Sequence, residues 1–358
     1  MPAYSTILLA GLSLLALAGC ASPAYYAQAT AGHFELMRQR EPITELVANT
    51  DTDPELAARL NTAAAARQFA IDELGLPDTD SYTRFVQTGR EAVTWNVIAA
   101  PEFSLEPRRW CFPVAGCVPY RGYFDPADAE RFAASQRRGG SDVTISPALA
   151  YSTLGWFEDP LLDTMLRYSD AQLAATLFHE MAHARLWVRG DAAFNEAFAS
   201  FIGTRGLERW LASRGADDRL AAWRRVRHAT HEFQALLDGT RAELEAIYRG
   251  GAAEARKRAE KAAAFERLRE RYRARVRDHW DGTDYFAGWF RNDLNNARLA
   301  LTRTYTGGRC AFEELFAEAG ADFRRFYRLA ESRAALAPDI RRVWLERPCP
   351  AIASTDDL

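Results

Sequence analysis

Proline divides this chain. All 15 Pro residues lie at or before Pro160 or at or after Pro338, and residues 161–337 have none. Proline removes a backbone donor and clashes with the preceding turn, so it stays out of helix interiors. A long proline-free run rich in Ala, Arg, Glu and Leu therefore predicts an almost wholly helical half. The earlier half is mixed. Asp53 before Pro54 reads as an N-cap with a first-turn proline, and that helix should run to about Leu74, where Gly75 and Pro77 end it. Strand-like segments follow at 91–100, 117–124 and 142–145, with a helical stretch at 125–138. The expected fold class is α+β, with a small, mostly antiparallel sheet beside a predominantly helical C-terminal half. Residues 216–280 are dense in Arg, Glu and Ala and break at Gly250-Gly251, which predicts two long helices in a hairpin with a solvated, charge-laced face.

At 358 residues the chain is long enough for one large domain or two. Its net charge of −3 leaves no basic footprint, so no nucleic-acid partner is expected. Residues 7–17 are apolar apart from Ser13, too few to span a membrane as a lasting helix, and read as the core of a signal peptide. They end in Leu17-Ala18-Gly19-Cys20, which looks like a bacterial lipobox. This predicts a signal over 1–19 and lipidation of Cys20. It also predicts a membrane anchor that holds the protein in the cell envelope, on the periplasmic side of an outer membrane, because no acid follows at Ala21 or Ser22. Residues 1–6 carry no Lys or Arg, so ordinary cleavage to a soluble periplasmic protein is the rival reading. Cys111, Cys117, Cys310 and Cys349 remain, an even number that suits disulfides in an exported chain. Of three possible pairings, Cys111 with Cys117 and Cys310 with Cys349 would close a tight loop and pin the tail.

The chemistry sits in His179-Glu180-Met181-Ala182-His183. Ser169-Asp170 is a helix start, and residues 171–188 have helix formers throughout, with Gly190 as the stop. Positions i and i+4 share a helix face, so both imidazoles can grip one metal ion. Glu180 is then beside it to take a proton from water, which is the H-E-x-x-H arrangement of zinc peptidases. Catalytic zinc usually has three protein ligands. A second, strongly apolar helix begins at Asp191 and runs to about Ile202, and a lone Glu in it is costly unless paired or ligating. Glu196 is therefore the expected third ligand of a Zn2+ ion; a Glu–Arg pair is the alternative. Asp191 and Asn195 could hold a ligand histidine by its other nitrogen. Tyr305 and Tyr151 are candidate donors to the oxyanion. Extended substrate would lie along an edge strand, with Tyr120–Tyr123 or Trp95–Val97 as candidates, though plain sheet fits both equally. Residues 150–160 are aromatic and irregular, as in a pocket wall.

Several of these pieces occur together: the lipobox, Trp95-Asn96-Val97, Trp110-Cys111-Phe112-Pro113, residues 117–124 with Tyr-Arg-Gly-Tyr-Phe, residues 150–160, the HEMAH motif and Phe194-Asn195-Glu196. In combination they resemble the family of predicted bacterial aminopeptidase lipoproteins. The resemblance implies a zincin-like, gluzincin-type fold and a zinc-dependent aminopeptidase acting on peptides or proteins. The domain reading that follows is a signal peptide at 1–19 and a linker or short helix at 20–45. A catalytic region at 46–215, a helical region at 216–350 that completes the cleft, and a tail at 351–358 come after it. An envelope endopeptidase and a non-catalytic metal-binding lipoprotein are the alternatives. An exopeptidase needs an acid for the substrate amine, and Glu102, Glu158 and Asp159 are the candidates. Only 12 residues separate His183 from Glu196, fewer than in thermolysin-like groups, so the connecting turn must be short.

Overall fold

The computed structural model describes residues 23–112, 116–150, 158–291, 293–306 and 308–347; the side chains of 303–306 and 309 are outside that description. The first elements are α1 (Pro23–Arg38), β1 (Glu41–Pro42), α2 (Ile43–Ala48) and α3 (Pro54–Asp72). The segment read as a linker or short helix thus contains the packed helix α1. Gln28 on α1 donates to Gly122 O (3.3 Å) and accepts from Phe124 N–H (3.1 Å), while the Tyr25 ring meets Tyr123 edge-on at 5.4 Å. The start of α3 follows its sequence: Asp53 accepts from Leu56 N–H, and Gly75 turns the chain out at φ 67°.

Next come β2 (Arg84–Val86), β3 (Thr94–Pro101), β4 (Trp110–Phe112), β5 (Gly116–Val118), β6 (Arg121–Tyr123), α4 (Pro126–Arg138), β7 (Ser141–Ala148) and β8 (Leu161–Leu162). In place of one sheet they form three small ones, β1-β2-β8, β6-β3-β7 and β4-β5. Every pairing is antiparallel except β2 with β8. The segment read as one strand over 117–124 breaks at Pro119, which cannot donate to a ladder, and its halves join different sheets. The third strand is longer than its β-branched stretch: β7 pairs with β3 from Thr94↔Ala148 to Pro101↔Ser141. It tolerates Pro147 because it is the edge of its sheet. The proline-free half is almost wholly helical, as expected, apart from buried Leu161 and Leu162 at its start, which pair in parallel with Phe85 and Val86.

The remaining helices are α5 (Asp170–Arg185), α6 (Ala192–Ser213), α7 (Asp217–Arg249), α8 (Glu254–His279), α9 (Ala287–Phe290), α10 (Asn296–Thr306), α11 (Arg309–Glu318), α12 (Phe323–Ala334) and α13 (Pro338–Leu345). A capping box between Ser169 and Gln172 starts α5, which ends at Arg185, short of the expected Val188. Asp191 caps α6, which continues to Ser213, well past Ile202. The two helices cross closely at Gly203, where an added Cβ would be 2.8 Å from Ala175 O and 3.3 Å from the His179 Cβ. Around this crossing, Leu173, Phe178, Phe198, Phe201, Phe312 and Phe326 are buried in the main core. Each such side chain contributes about 1.5–3 kcal/mol by leaving water.

The α7–α8 hairpin has its own smaller core, which includes Phe233, Leu237, Leu268 and Tyr272. Polar contacts tie it to the sheet. Asp142 Oδ2 on β7 accepts from Lys261 Nζ (2.6 Å) on α8 and from Asn296 N–H (2.8 Å) on α10. Buried Asn296 also donates to Pro101 O and Glu102 O and accepts from Tyr248 OH. No helix among the described residues is long and apolar enough to cross a membrane.

Candidate metal centre and cleft

His179 and His183 project from one face of α5, with ring centroids 5.0 Å apart, and α6 brings Glu196 to them. His179 Nε2 is 3.3 Å from Glu196 Oε2, and His183 Nε2 is 3.8 Å from Oε1. Zinc with bonds of about 2.0–2.1 Å in tetrahedral geometry has ligand atoms about 3.4 Å apart; the two histidine–carboxylate separations are near that, and all three ligand atoms lie within 4.8 Å of one another. Two imidazoles and a carboxylate are also a donor set that zinc accepts. The side chains of His183, Glu196 and His179 are only 4%, 17% and 19% exposed, so the arrangement is not an incidental surface cluster.

The electrostatics agree with that use. Burial, with His179 adding to it, pushes the pKa of His183 down to about 4 against the pull of Glu196, which leaves the neutral ring that a metal needs. Burial also depresses His179, but the Glu196 hydrogen bond and the charges of Glu180 and Glu196 outweigh it and hold His179 above its ordinary value. Burial raises Glu196, yet the hydrogen bond from His179 and both imidazoles keep its carboxyl below the usual range. The Trp187 ring stands edge-on to His183 at 5.4 Å.

The expected helpers have other work. Asp191 caps α6 through Phe194 N–H and pairs with Arg341 at 2.6 Å. Asn195, fully buried, clamps both backbone groups of Val188 at 2.8 Å and so fixes the short turn between the ligand helices. His183 Nδ1 is buried with no hydrogen-bond partner among the described residues. The β4–β5 hairpin also rests on that turn: a Cβ on Gly116 would be 3.5 Å from Gly190 Cα. A Cys111–Cys117 disulfide joins opposed positions of the hairpin. Cys310 is disulfide-bonded as well. Its expected partner Cys349, together with Cys20 and Tyr151, lies outside the described residues, as does the side chain of Tyr305 on α10.

A cleft of about 670 Å³ opens beside the centre and is lined by His179 and Glu180. Its other walls are Asn96 and residues 146–150 at the end of β7, Ser200 and Thr204 on α6, Trp289, and Arg298, Leu301 and Thr302. The β7 edge lines the cleft; of the expected segments, Trp95–Val97 contributes Asn96 to the wall but is no edge, because β3 is paired on both sides, and Arg121–Tyr123 is the opposite edge of the same sheet. Two tyrosines that sequence reasoning did not single out as donors feel the site's charge. Burial, then Glu196 and Glu180, raises the Tyr120 hydroxyl's pKa; burial, then Glu180, raises that of Tyr168, which lines the cleft. Glu102 pairs with Arg258 at 2.6 and 2.9 Å and Glu158 with Arg40 at 3.6 Å, and neither these two nor Asp159 lines the cleft. His228 lies 3.8 Å from Glu232 on α7, and neither it nor His231 lines the cleft.

Comparison with curated proteins and with solved structures gives no match. A family model described as "Putative aminopeptidase" matches residues 24–345, nearly the whole chain, and this protein belongs to that family.

Proposed function

We propose that this protein is a zinc-dependent peptidase with a zincin-like catalytic region, in which His179, His183 and Glu196 hold the metal and Glu180 is the general base. The observation that carries the reading is the three donors at coordination spacing with Glu180 beside them on the wall of the cleft. Zinc held there supplies a Lewis acid that polarises the scissile carbonyl and acidifies water. Glu180 takes the proton of the attacking water and returns it to the leaving amine. Tyr168 on the cleft wall, and Tyr120, whose hydroxyl feels both Glu196 and Glu180, are candidate donors to the oxyanion. Ser146–Ala148 lie on a sheet edge among the described residues and line the cleft, which suits main-chain pairing with an extended peptide. The family match supports action at peptide N-termini. The Leu17–Cys20 segment supports a lipid-anchored protein in the bacterial envelope, on the periplasmic side of the outer membrane.

The test is metal analysis with peptide cleavage by wild type and Glu180→Gln. Wild type should hold one zinc per chain and cleave peptides. The variant should keep the zinc and lose at least about a hundredfold in kcat. A wild type that binds no zinc, or a variant as active as wild type, overturns the reading.

A further inference from the structure

Three arginines are buried among the described residues: Arg241, Arg298 and Arg341. Two have a carboxylate, since Arg341 is 2.6 Å from Asp191 and Arg241 is 3.8 Å from Asp238. Arg298 has none. It is 9% exposed and lines the same cleft as His179 and Glu180. Its place is fixed from two sides. Asn295 Oδ1 caps its backbone N–H (3.0 Å) in the first turn of α10, and its Nη2 donates to Trp289 O (2.9 Å) and, more weakly, to Gly288 O (3.4 Å). Its guanidinium carbon is 5.5 Å from the centre of the Trp289 ring. Nε is buried without an acceptor. Burial is the one influence on its charge, and it lowers the pKa; no acid opposes it.

A buried, oriented cation without a counter-charge is costly, and a ligand that brings the anion removes the cost. The planar fork of a guanidinium suits a carboxylate. Peptides carry that group at the C-terminus and on Asp or Glu side chains. We propose that Arg298 is a specificity-determining residue that receives a carboxylate of the peptide substrate. The proposal rests on the peptidase reading above. It makes the cleft selective either for short peptides, whose C-terminus reaches Arg298, or for an acidic side chain near the cut.

The test is calorimetric binding to the zinc-loaded full chain carrying Glu180→Gln, which separates binding from turnover. The probes are trialanine as the free acid, trialanine amide, and alanyl-glutamyl-alanine amide. With Arg298 present, at least one carboxylate peptide should bind about tenfold or more tighter than trialanine amide, as expected for a charge-assisted pair. Preference for free trialanine identifies the C-terminus, and preference for the glutamyl amide identifies a side chain. Adding Arg298→Gln should abolish the difference, while Arg298→Lys, which keeps charge but loses the fork, should retain part of it. Equal binding of all three probes overturns the proposal, even if wild type cleaves peptides. A carboxylate preference that persists in Arg298→Gln or is unchanged in Arg298→Lys, with melting as in the parent, also overturns it. If wild type cleaves nothing, the peptidase reading fails by its own assay, and the binding comparison still decides whether Arg298 takes a carboxylate.

Discussion

The α5–α6 pair and the α7–α8 hairpin are both two-helix units, yet they use charge in opposite ways. The first buries an almost continuous apolar face, and the few charged groups set in it, Glu180, Glu196 and the two histidines, converge on one point. The hairpin spreads most of its charges over solvent, where Arg256 pairs with Glu260, Arg249 with Glu245 and Arg258 with Glu254. Exposed pairs of this kind contribute little each, because water screens them and ordering two long side chains has an entropic cost. A charge in a dry helix face has no such indifference, so its presence there requires a purpose. Charge number says little about function, and charge placement says a good deal.

Substitutions can break or sharpen that contrast. The largest effect should come from Glu196→Ala. Even groups that only support a ligand are worth about 10- to 100-fold in metal affinity, so loss of a ligand should exceed that. Zinc titration that leaves affinity within a few-fold of wild type would remove Glu196 from the centre. Next is Gly203→Leu at the helix crossing, where Ala175 O and the His179 Cβ leave no room. Overpacking should cost about 3 kcal/mol and weaken metal binding together, read by denaturant melts and the same titration. An unaltered melt would mean the crossing is loose. Arg227→Met comes third. Arg227 joins Glu208 and Glu313 across α7, α6 and α11, with its side chain and that of Glu208 each 16% exposed. The loss should be about 1–2 kcal/mol, below that for a fully buried pair, with zinc affinity unchanged. A fall in zinc affinity would show that the network reaches the centre. The smallest effect belongs to Arg267→Ala, whose side chain is 48% exposed on the hairpin. It should cost under about 0.5 kcal/mol, and a larger loss would contradict the reading of those charges as solvated.

Local features were the legible ones. Asp53, Ser169 and Asp191 cap the helices they announce, and Glu196, the lone Glu in the apolar first half of α6, is brought to the histidines. Features set by distant partners were not. The parallel pairing of Leu161-Leu162 with Phe85-Val86 is two residues long, too short to leave a periodic signal. The full length of β7 is set by β3, and Pro147 hides it. Arg298 shows both sides of this limit. It stands in Ala297-Arg298-Leu299-Ala300-Leu301, a single charge in an apolar run, so the argument that found Glu196 would have flagged it. That it faces the same cleft depends on α10 docking against β7, which no local pattern records.

The cleft also has a consequence in time. Its walls come from Asn96 in the first third of the chain and from Arg298 and Thr302 in the last, and the contacts that join them, Asp142 with Lys261 and with Asn296, themselves span 119 and 154 residues. Contacts of such long range close late, after the loop entropy between them has been met. During synthesis the helix of His179 and His183 can therefore form well before the wall opposite it. A partly made chain holds the candidate metal ligands with no finished groove beside them, and the groove appears only when nearly all the sequence has arrived.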